Sequence, residues 1–406
     1  MTTPVAGAFL ALALFAWALS GLGRTSVSEV AAKAAAGSLM LASTAALPLI
    51  FPGAGYFPFP VGDMVVVVVI AAALAAPLLR APPAVRVGAA IYGLVSIALF
   101  SVPTPMGDND ARLAAYVGVP LLLCYLPRAM AGWREPAQAG PGRRPGPNIG
   151  HLSLVGAVAL VMVVWDWGPI AETFNGAVEG PPSVASYYRP LVNELQRLSG
   201  GWPVRVEIPP LAHHWEAAYV APRFPLARGW ERQIDMAYND LFYRQGPLGR
   251  REYRTWLISN GVSYVAVPVA PFDYGGEKEA VLVRSGTVPG LQLVWRAQGW
   301  ELWKVLGSQG LASAPGRVAS IAPGTVAVRF SRAGVSVVKV RWSRYWTLPR
   351  RDGGSACLER SAGDWTELSS DGQGLVRLTT SVLHPDHGRC IAVVRPDGVL
   401  PSKLSD

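Results

Sequence analysis

DMVVVVVIAAALAAPLL, Asp63 to Leu79, is the stretch on which the fold turns. By propensity alone its run of valines suits a buried strand. Its length, close to the roughly 20 residues that cross a bilayer core, and the charges flanking it favour a membrane helix. Similar runs occur at AFLALALFAWALSGLG (Ala8–Gly23) and LSLVGAVALVMVVWDW (Leu152–Trp167). The chain has 406 residues, 51% hydrophobic and 16% charged, too apolar for an ordinary soluble enzyme, and the excess lies in the first two fifths. Spans are expected near 4–23, 33–51, 62–79, 87–103, 111–126 and 150–168, an α-helical transmembrane bundle of about six helices filling residues 1–168.

The connectors set the expected orientation. Arg24 and Lys33 follow the first run, Arg80 and Arg86 the third, and Arg128, Arg134, Arg143 and Arg144 the fifth. Basic residues are retained on the cytoplasmic side, so these connectors are read as cytoplasmic. The opposite connectors, FPGAGYFPFP and PTPMGDNDAR, hold only Arg112, and no basic residue precedes Pro4. A multi-pass cell-membrane protein with N- and C-termini extracytoplasmic follows. A secretory signal is the alternative for the first run, but it lacks a basic start and a small-x-small cleavage site. A missing basic start is also what a chain beginning inside a longer membrane protein would have. Arg134–Gly150, rich in Pro and Gly, reads as a flexible linker.

The net charge of +9 raises nucleic-acid binding as a possibility. Its positives are scattered among apolar runs rather than striped along one helix with aromatics, so the lipid bilayer is the expected partner and nucleic acid is not.

From Pro169 onward charge and aromatics alternate with apolar residues. Over 169–307, Tyr187–Gly201 has helical spacing with a Gly stop. Trp202–Pro210 and Glu216–Pro222 read as short strands, Arg251–Gly261 as a helix, Val262–Ala270 as a buried strand, Gly276–Gly286 as a helix, and Leu291–Leu306 as a strand pair. Such alternation argues an extracytoplasmic α/β domain. Residues 308–406 turn to period-two segments (325–334, 335–349, 364–373, 374–383, 389–396) between Gly, Pro and Asp, as in a small C-terminal β-sandwich. Cys357 and Cys390 are expected to form a disulfide there, the compartment being oxidising, while Cys124 in an apolar run is a packing residue.

Three stretches carry candidate chemistry. In Gly107–Leu113, Asp108 and Asp110 stand one residue apart with Arg112 close by. Paired carboxylates can hold a divalent cation such as Mg or Mn, and Arg suits phosphate oxygens. The plain alternative is a helix start, where Asp satisfies orphan N–H groups. His213 and His214 precede Trp215 and Glu216, a possible metal pair or a base with its carboxylate. Adjacent histidines on a strand face opposite ways, so packing is the plainer reading. Arg228, Trp230, Glu231, Arg232 and Asp235 could hold a sugar or phosphate by stacking and bidentate bonds, or form an ion-paired docking surface. No P-loop, dinucleotide glycine fingerprint, HExxH, GxSxG or CxxC motif is present.

Arg205–Tyr243, Tyr253–Pro268 and Gly107–Leu113 resemble a group of uncharacterised polytopic integral membrane proteins of high-GC bacteria, whose layout is similar to the C-terminal part of GT-C-type membrane glycosyltransferases. The resemblance covers most of the chain from about residue 100 and implies transfer of sugar from a polyprenyl-phosphate donor to a cell-envelope glycan. Such enzymes use an acidic residue in their first extracytoplasmic loop. This chain has no long acidic loop after its first run: either it corresponds to the C-terminal part of a longer architecture and lacks the catalytic loop, or Asp108 and Asp110 take over that work as catalytic residues. Arg112, His214, Glu216, Arg228, Trp230 and Arg232 would then contact substrate. Two further readings stay open: a non-enzymatic envelope scaffold whose outer domain binds glycan or protein, and a transporter. The apolar runs hold few ionisable residues for a relay, which weighs against transport.

Overall fold

The computed structural model describes residues 4–51, 53, 55–132, 160, 165, 167, 171, 180–349, 355–388 and 390. The chain divides into two compact units, 1–176 with 231–238, and 177–230 with 239–406.

Unit 1 contains α1 (Pro4–Ser20), α2 (Val27–Ile50), α3 (Val61–Ala75), α4 (Pro83–Ser101) and α5 (Val119–Gly132). It does not form the expected six-helix transmembrane bundle. Among the described residues only α2, with 24 residues, and α4, with 19, are long and apolar enough to cross a membrane. At 1.5 Å per residue they reach about 36 and about 28 Å, against a hydrocarbon core of about 30 Å. The reasons for the shortfall are local. The run that opened the sequence reading is helical but stops at Ala75, because Ala76 is extended (ψ 140°) ahead of Pro77. Chain-reversing glycines after Ser20, with Gly23 at φ 69°, end α1 at 17 residues.

The fifth expected span, 111–126, is helical but carries an irregular turn. A 3₁₀ turn (Gly107–Asp110) and a three-residue α turn (Ala111–Leu113) lead into a π-helical turn, Ala114–Gly118. There the amide of Val119 bonds back to Ala114 O. Pro120 has no N–H to offer the carbonyl four residues earlier, which explains the widened turn. The sixth expected span, the Arg134–Gly150 linker and the strand expected at 389–396 lie outside the described residues, apart from isolated positions.

Ser26 caps α2 by accepting from the amide of Glu29, and Glu29 pairs with Lys33 one turn on, at 2.6 Å. Lys33 thus sits inside α2 rather than in a connector. The core of unit 1 gathers Val67, Ile70, Leu74, Tyr92, Ala114 and Leu122. Outside it, α2 and α4 expose apolar side chains: Leu39 is 67% exposed and Leu94 70%. An apolar exterior on this scale marks a surface made for something other than water.

Unit 2 begins with α6 (Ala185–Ser199), stopped by Gly200 in the left-handed conformation. A four-stranded sheet follows in the order β1-β2-β4-β3. Its strands are β1 (Arg205–Glu207), β2 (Val262–Pro268), β3 (Leu291–Ala297) and β4 (Trp300–Val305). β1 and β2 are parallel; β2–β4 and β4–β3 are antiparallel. Between β1 and β2 lie α7 (Trp215–Tyr219), α8 (Arg232–Tyr238, assigned to unit 1) and α9 (Arg250–Ser259), and α10 (Glu277–Arg284) follows β2. Glu216–Pro222, expected as a strand, instead begins with a helical turn led by His214 in the left-handed region (φ 54°).

Gly261 ends α9 at φ 65°, and a side chain there would collide with Gly310 O, so the turn into β2 admits only glycine. One core under this sheet holds Tyr188, Leu191, Val206 and Trp300; another holds Phe242, Tyr253, Leu257 and Val265. Each such fully buried large apolar side chain stabilises the fold by about 1.5–3 kcal/mol.

The remaining strands make two antiparallel sheets, β7-β10-β9 and β5-β6-β11-β8. They are β5 (Gly316–Ala322), β6 (Thr325–Phe330), β7 (Gly334–Arg341), β8 (Trp346–Thr347), β9 (Ala356–Ser361), β10 (Trp365–Ser370) and β11 (Gly374–Thr380). Val328, Phe330 and Val376 from one sheet and Val338, Leu358 and Leu368 from the other share a single core. A disulfide joins Cys357 to Cys390, with Cα atoms 4.9 Å apart.

Candidate functional site

The most heavily specified region of unit 1 is the turn that carries Asp108 and Asp110. Gly107 takes φ 44°, and a Cβ there would run into Phe57 O. The amide of Phe57 donates to Thr104 O at 2.9 Å, and that of Asp108 to Pro58 O at 3.1 Å, so residues 102–110 are laid directly on 55–60. A Cβ at Gly55 would meet Gln233 O and the Ala237 side chain, so α8 also packs on this segment. Three segments far apart in sequence therefore converge within unit 1: 55–60, 102–110 and α8.

The two carboxylates have different surroundings. Asp110 is buried; its carboxylate accepts from Ser96 Oγ, and its backbone carbonyl accepts from Tyr92 Oη at 2.7 Å. Tyr92 Oη in turn accepts from the amide of Ala114, tying the turn to the start of the π segment. Asp108 is only partly buried, and its Oδ1 has no hydrogen-bond partner. Burial and then the neighbouring charge of Asp63 push Asp108 up to about 6, against the pull of Arg112. Burial also pushes Asp110 up to about 6, opposed by the Ser96 hydrogen bond. Asp63 accepts from Trp165 Nε1 at 3.1 Å, and Arg112 is exposed.

A divalent cation does not fit this arrangement. Asp110 is turned inward onto Ser96, and the described residues contain no group of three or more His, Cys, Asp or Glu able to hold a metal. One carboxylate, Asp108, is placed to take a proton; the other holds the turn.

In unit 2, His214 and Glu216 are brought together, with a third group that has no local signal in the sequence. His214 Nδ1 lies 3.3 Å from Glu216 Oε1, and Nε2 lies 3.4 Å from Asp273 Oδ2. Both ring nitrogens then act as donors, the property of an imidazolium. The hydrogen bond to Asp273, then that to Glu216, raises His214 to about 9. It is therefore a fixed cation at neutral pH, not a base. The cluster lies in the loops that follow β1 and β2, beyond the carboxyl ends of the parallel pair, where open α/β sheets bind ligands. Trp215 stacks with Tyr219 at 5.8 Å beside it, and Glu216 Oε2 is buried without a hydrogen-bond partner. His213 is exposed and takes no part.

The stretch 226–235 does not form one ligand clamp. Arg228 points into the core of unit 2: it donates to Gly275 O and Glu279 at 3.0 Å, and its guanidinium lies 3.8 Å from the Phe242 ring centroid. Tyr253 Oη donates to the other oxygen of Glu279 at 2.7 Å. Burial raises Glu279, opposed by Arg228 and by hydrogen bonds from Tyr253 and Arg228 and with Glu207. Trp230 is exposed in unit 2, whereas Arg232 and the buried Asp235 belong to α8 in unit 1. The sequence pattern of that cluster thus spans a division between units.

No protein-family model, curated protein or solved structure matches the chain.

Proposed function

We propose that this is a membrane-associated glycosyltransferase in which Asp108 is the general base, sugar passing from a polyprenyl-phosphate donor to an envelope glycan outside the cytoplasm. The observation that carries the reading is the half-buried Asp108 carboxylate: it has an oxygen without a partner, is raised to about 6, and sits on a turn fixed by Gly107 and followed by a π segment. A carboxylate with a pKa near ambient pH is mostly ionised at neutrality yet basic enough to accept a proton. In the transfer, the acceptor hydroxyl loses its proton to Asp108 as its oxygen forms the new bond to the anomeric carbon. The bond from that carbon to the phosphate oxygen breaks, and the leaving phosphate takes the electron pair. Arg112, exposed on the same turn, would offset the phosphate charge. Asp110 acts by holding the turn.

In this reading the chain crosses the membrane more than once and both termini are extracytoplasmic. Support comes from Arg24 and Arg80 in connectors and Arg86 in the first turn of α4, from the gathering of 55–60, 102–110 and α8 within unit 1, and from the disulfide, which suits an oxidising compartment. The test is transfer of labelled sugar in isolated membranes. Asp108→Asn should lower the rate by about 10²–10⁴-fold with the folded protein still present. Undiminished transfer would remove Asp108 from the chemistry.

A second reading rests on the His214–Glu216–Asp273 cluster: an envelope scaffold that binds glycan through unit 2. A fixed imidazolium, a buried carboxylate oxygen and a tryptophan–tyrosine stack are the polar and apolar elements of a small-ligand site. Oligosaccharide binding that survives Asp108→Asn but is lost in Glu216→Gln would favour it over catalysis.

A further inference from the structure

In a regular α-helix the amide of Ala114 would donate to the carbonyl of Asp110, four residues back. Here that carbonyl accepts from Tyr92 Oη at 2.7 Å, and the amide of Ala114 donates to the same phenolic oxygen at 3.2 Å. Within its own segment the amide reaches Ala111 O, three residues back. One hydroxyl from α4 therefore stands between the donor and the acceptor of a single helical bond, giving its proton to one and taking a hydrogen bond from the other. Tyr92 is 5% exposed and Ala114 0%, so the exchange takes place inside unit 1.

A side chain set into the i→i−4 ladder is one of the few physical causes of an irregular helix. The inserted hydroxyl interrupts the ladder at 110–114, and the missing N–H of Pro120 interrupts it again beyond the π segment Ala114–Gly118. These are separate causes, one from a neighbouring helix and one from the chain itself. α4 adds a second hold one turn further along: Ser96, four residues after Tyr92, donates to the Asp110 carboxylate and to Tyr92 O. Tyr92 takes the backbone of Asp110 and Ser96 its side chain.

Asp108 lies two residues before this grip, and its amide donates to Pro58 O at 3.1 Å. Closing the ladder would draw Asp110 O onto the Ala114 amide. Residues ahead of that bond would then follow helical rotation, about 100° for each residue taken up, and Asp108 would leave the 55–60 segment. The alternative helix satisfies both backbone groups, so it is a competing conformation and not an unfolded one.

We propose that Tyr92 is a positioning residue: its hydroxyl, inserted between Asp110 O and the Ala114 amide, holds the turn open and keeps Asp108 against 55–60. Its consequence for catalysis rests on the transfer reading, whereas the placement of Asp108 can be measured without it.

The test uses the full chain in detergent, with Cys124→Ser, Pro58→Cys and Asp108→Cys, and follows the rate at which a short thiol-to-thiol reagent joins positions 58 and 108. Adding Tyr92→Phe, which deletes one oxygen, should slow cross-linking by about tenfold, the factor expected when two neutral hydrogen bonds no longer favour one conformation. Tyr92→Met serves if Tyr92→Phe does not fold. Pro120→Ala, with Tyr92 intact, should leave the rate within about twofold. Cross-linking unchanged by Tyr92→Phe, or slowed as much by Pro120→Ala, would overturn the role of Tyr92. With Asp108 restored, Tyr92→Phe in isolated membranes should lower transfer and move the acid midpoint of its pH profile by about half a unit or more, as the surroundings of the base change. Slower transfer at an unmoved midpoint would mean that Tyr92 serves stability alone. If Asp108→Asn transfers sugar normally the transfer reading falls, and the cross-linking rates still decide whether Tyr92 sets the turn.

Discussion

Unit 1 and unit 2 apply opposite rules to the same amino acids. In unit 1 alanines and glycines lie where helices approach one another, and leucines such as Leu39 and Leu94 face outward. In unit 2 Trp300, Tyr253, Phe330 and Leu368 are fully inside, and exposed positions carry Arg244, Asp240 and Arg197. Burial of apolar area drives folding only where the alternative is water. Where the surroundings are themselves apolar, close packing of small residues replaces it. The polar interiors differ as well: unit 1 buries the Asp110 carboxylate on a serine, whereas unit 2 buries Glu279 with an arginine and a tyrosine.

The contrast can be broken experimentally, most forcefully in unit 2. Arg228→Met leaves Glu279 buried without its cation and should destabilise unit 2 by about 3–5 kcal/mol in denaturant titration. Adding Glu279→Gln should recover much of that loss; no recovery would mean the pair is not the source. Removing the disulfide by Cys357→Ser with Cys390→Ser opens a loop of 33 residues and should cost about 3–4 kcal/mol, read from the unfolding midpoint of unit 2. In unit 1, Leu94→Arg on the exposed face of α4 separates lipid from water. It should cost about 2.5–3.5 kcal/mol in membrane insertion, whereas a water-facing position would tolerate it within about 0.5 kcal/mol.

The smallest effects are in pH dependence, and they occupy different windows. Asp108 is raised in the folded state, so folding holds its proton: stability is greatest below about 3.8 and declines as pH rises to about 6. His214 is also raised, so its contribution is full below about 6.5 and is lost as pH climbs through about 9. Asp108→Asn should reduce the slope of the acid limb, where Asp110 still titrates, and leave the alkaline limb unchanged, whereas His214→Gln should flatten the alkaline limb, measured as melting temperature against pH.

Much of unit 2 was legible because its signals are local. The Gly stops at Gly200 and Gly261, the uninterrupted apolar run of β2, and the alternation in β6, β7, β10 and β11 each lie within a few residues. Unit 1 was less legible because hydropathy counts residues and does not register what ends a helix: Pro77 and Pro120 shortened or widened runs whose composition reads as continuous. The site followed the same pattern. Asp108 and Asp110 could be flagged from their spacing, but only the fold distinguishes one as partnered by Ser96 and the other as open. Asp273, Glu207 and Glu279 had no signal at all, since each meets its partner across strands or loops distant in sequence. The apparent cluster at 226–235 misled for the reverse reason, its members being neighbours in sequence and assigned to different units.

That last assignment bears on how the protein is made. Residues 231–238 complete unit 1 although the chain has by then spent more than fifty residues in unit 2. On the ribosome, the helices that emerge first must wait for a segment synthesised much later before their outer loop layer closes. Maturation of the apolar half is thus gated by translation of the polar half, and a nascent chain arrested before Gln233 would hold the 55–60 segment without the helix that packs on Gly55.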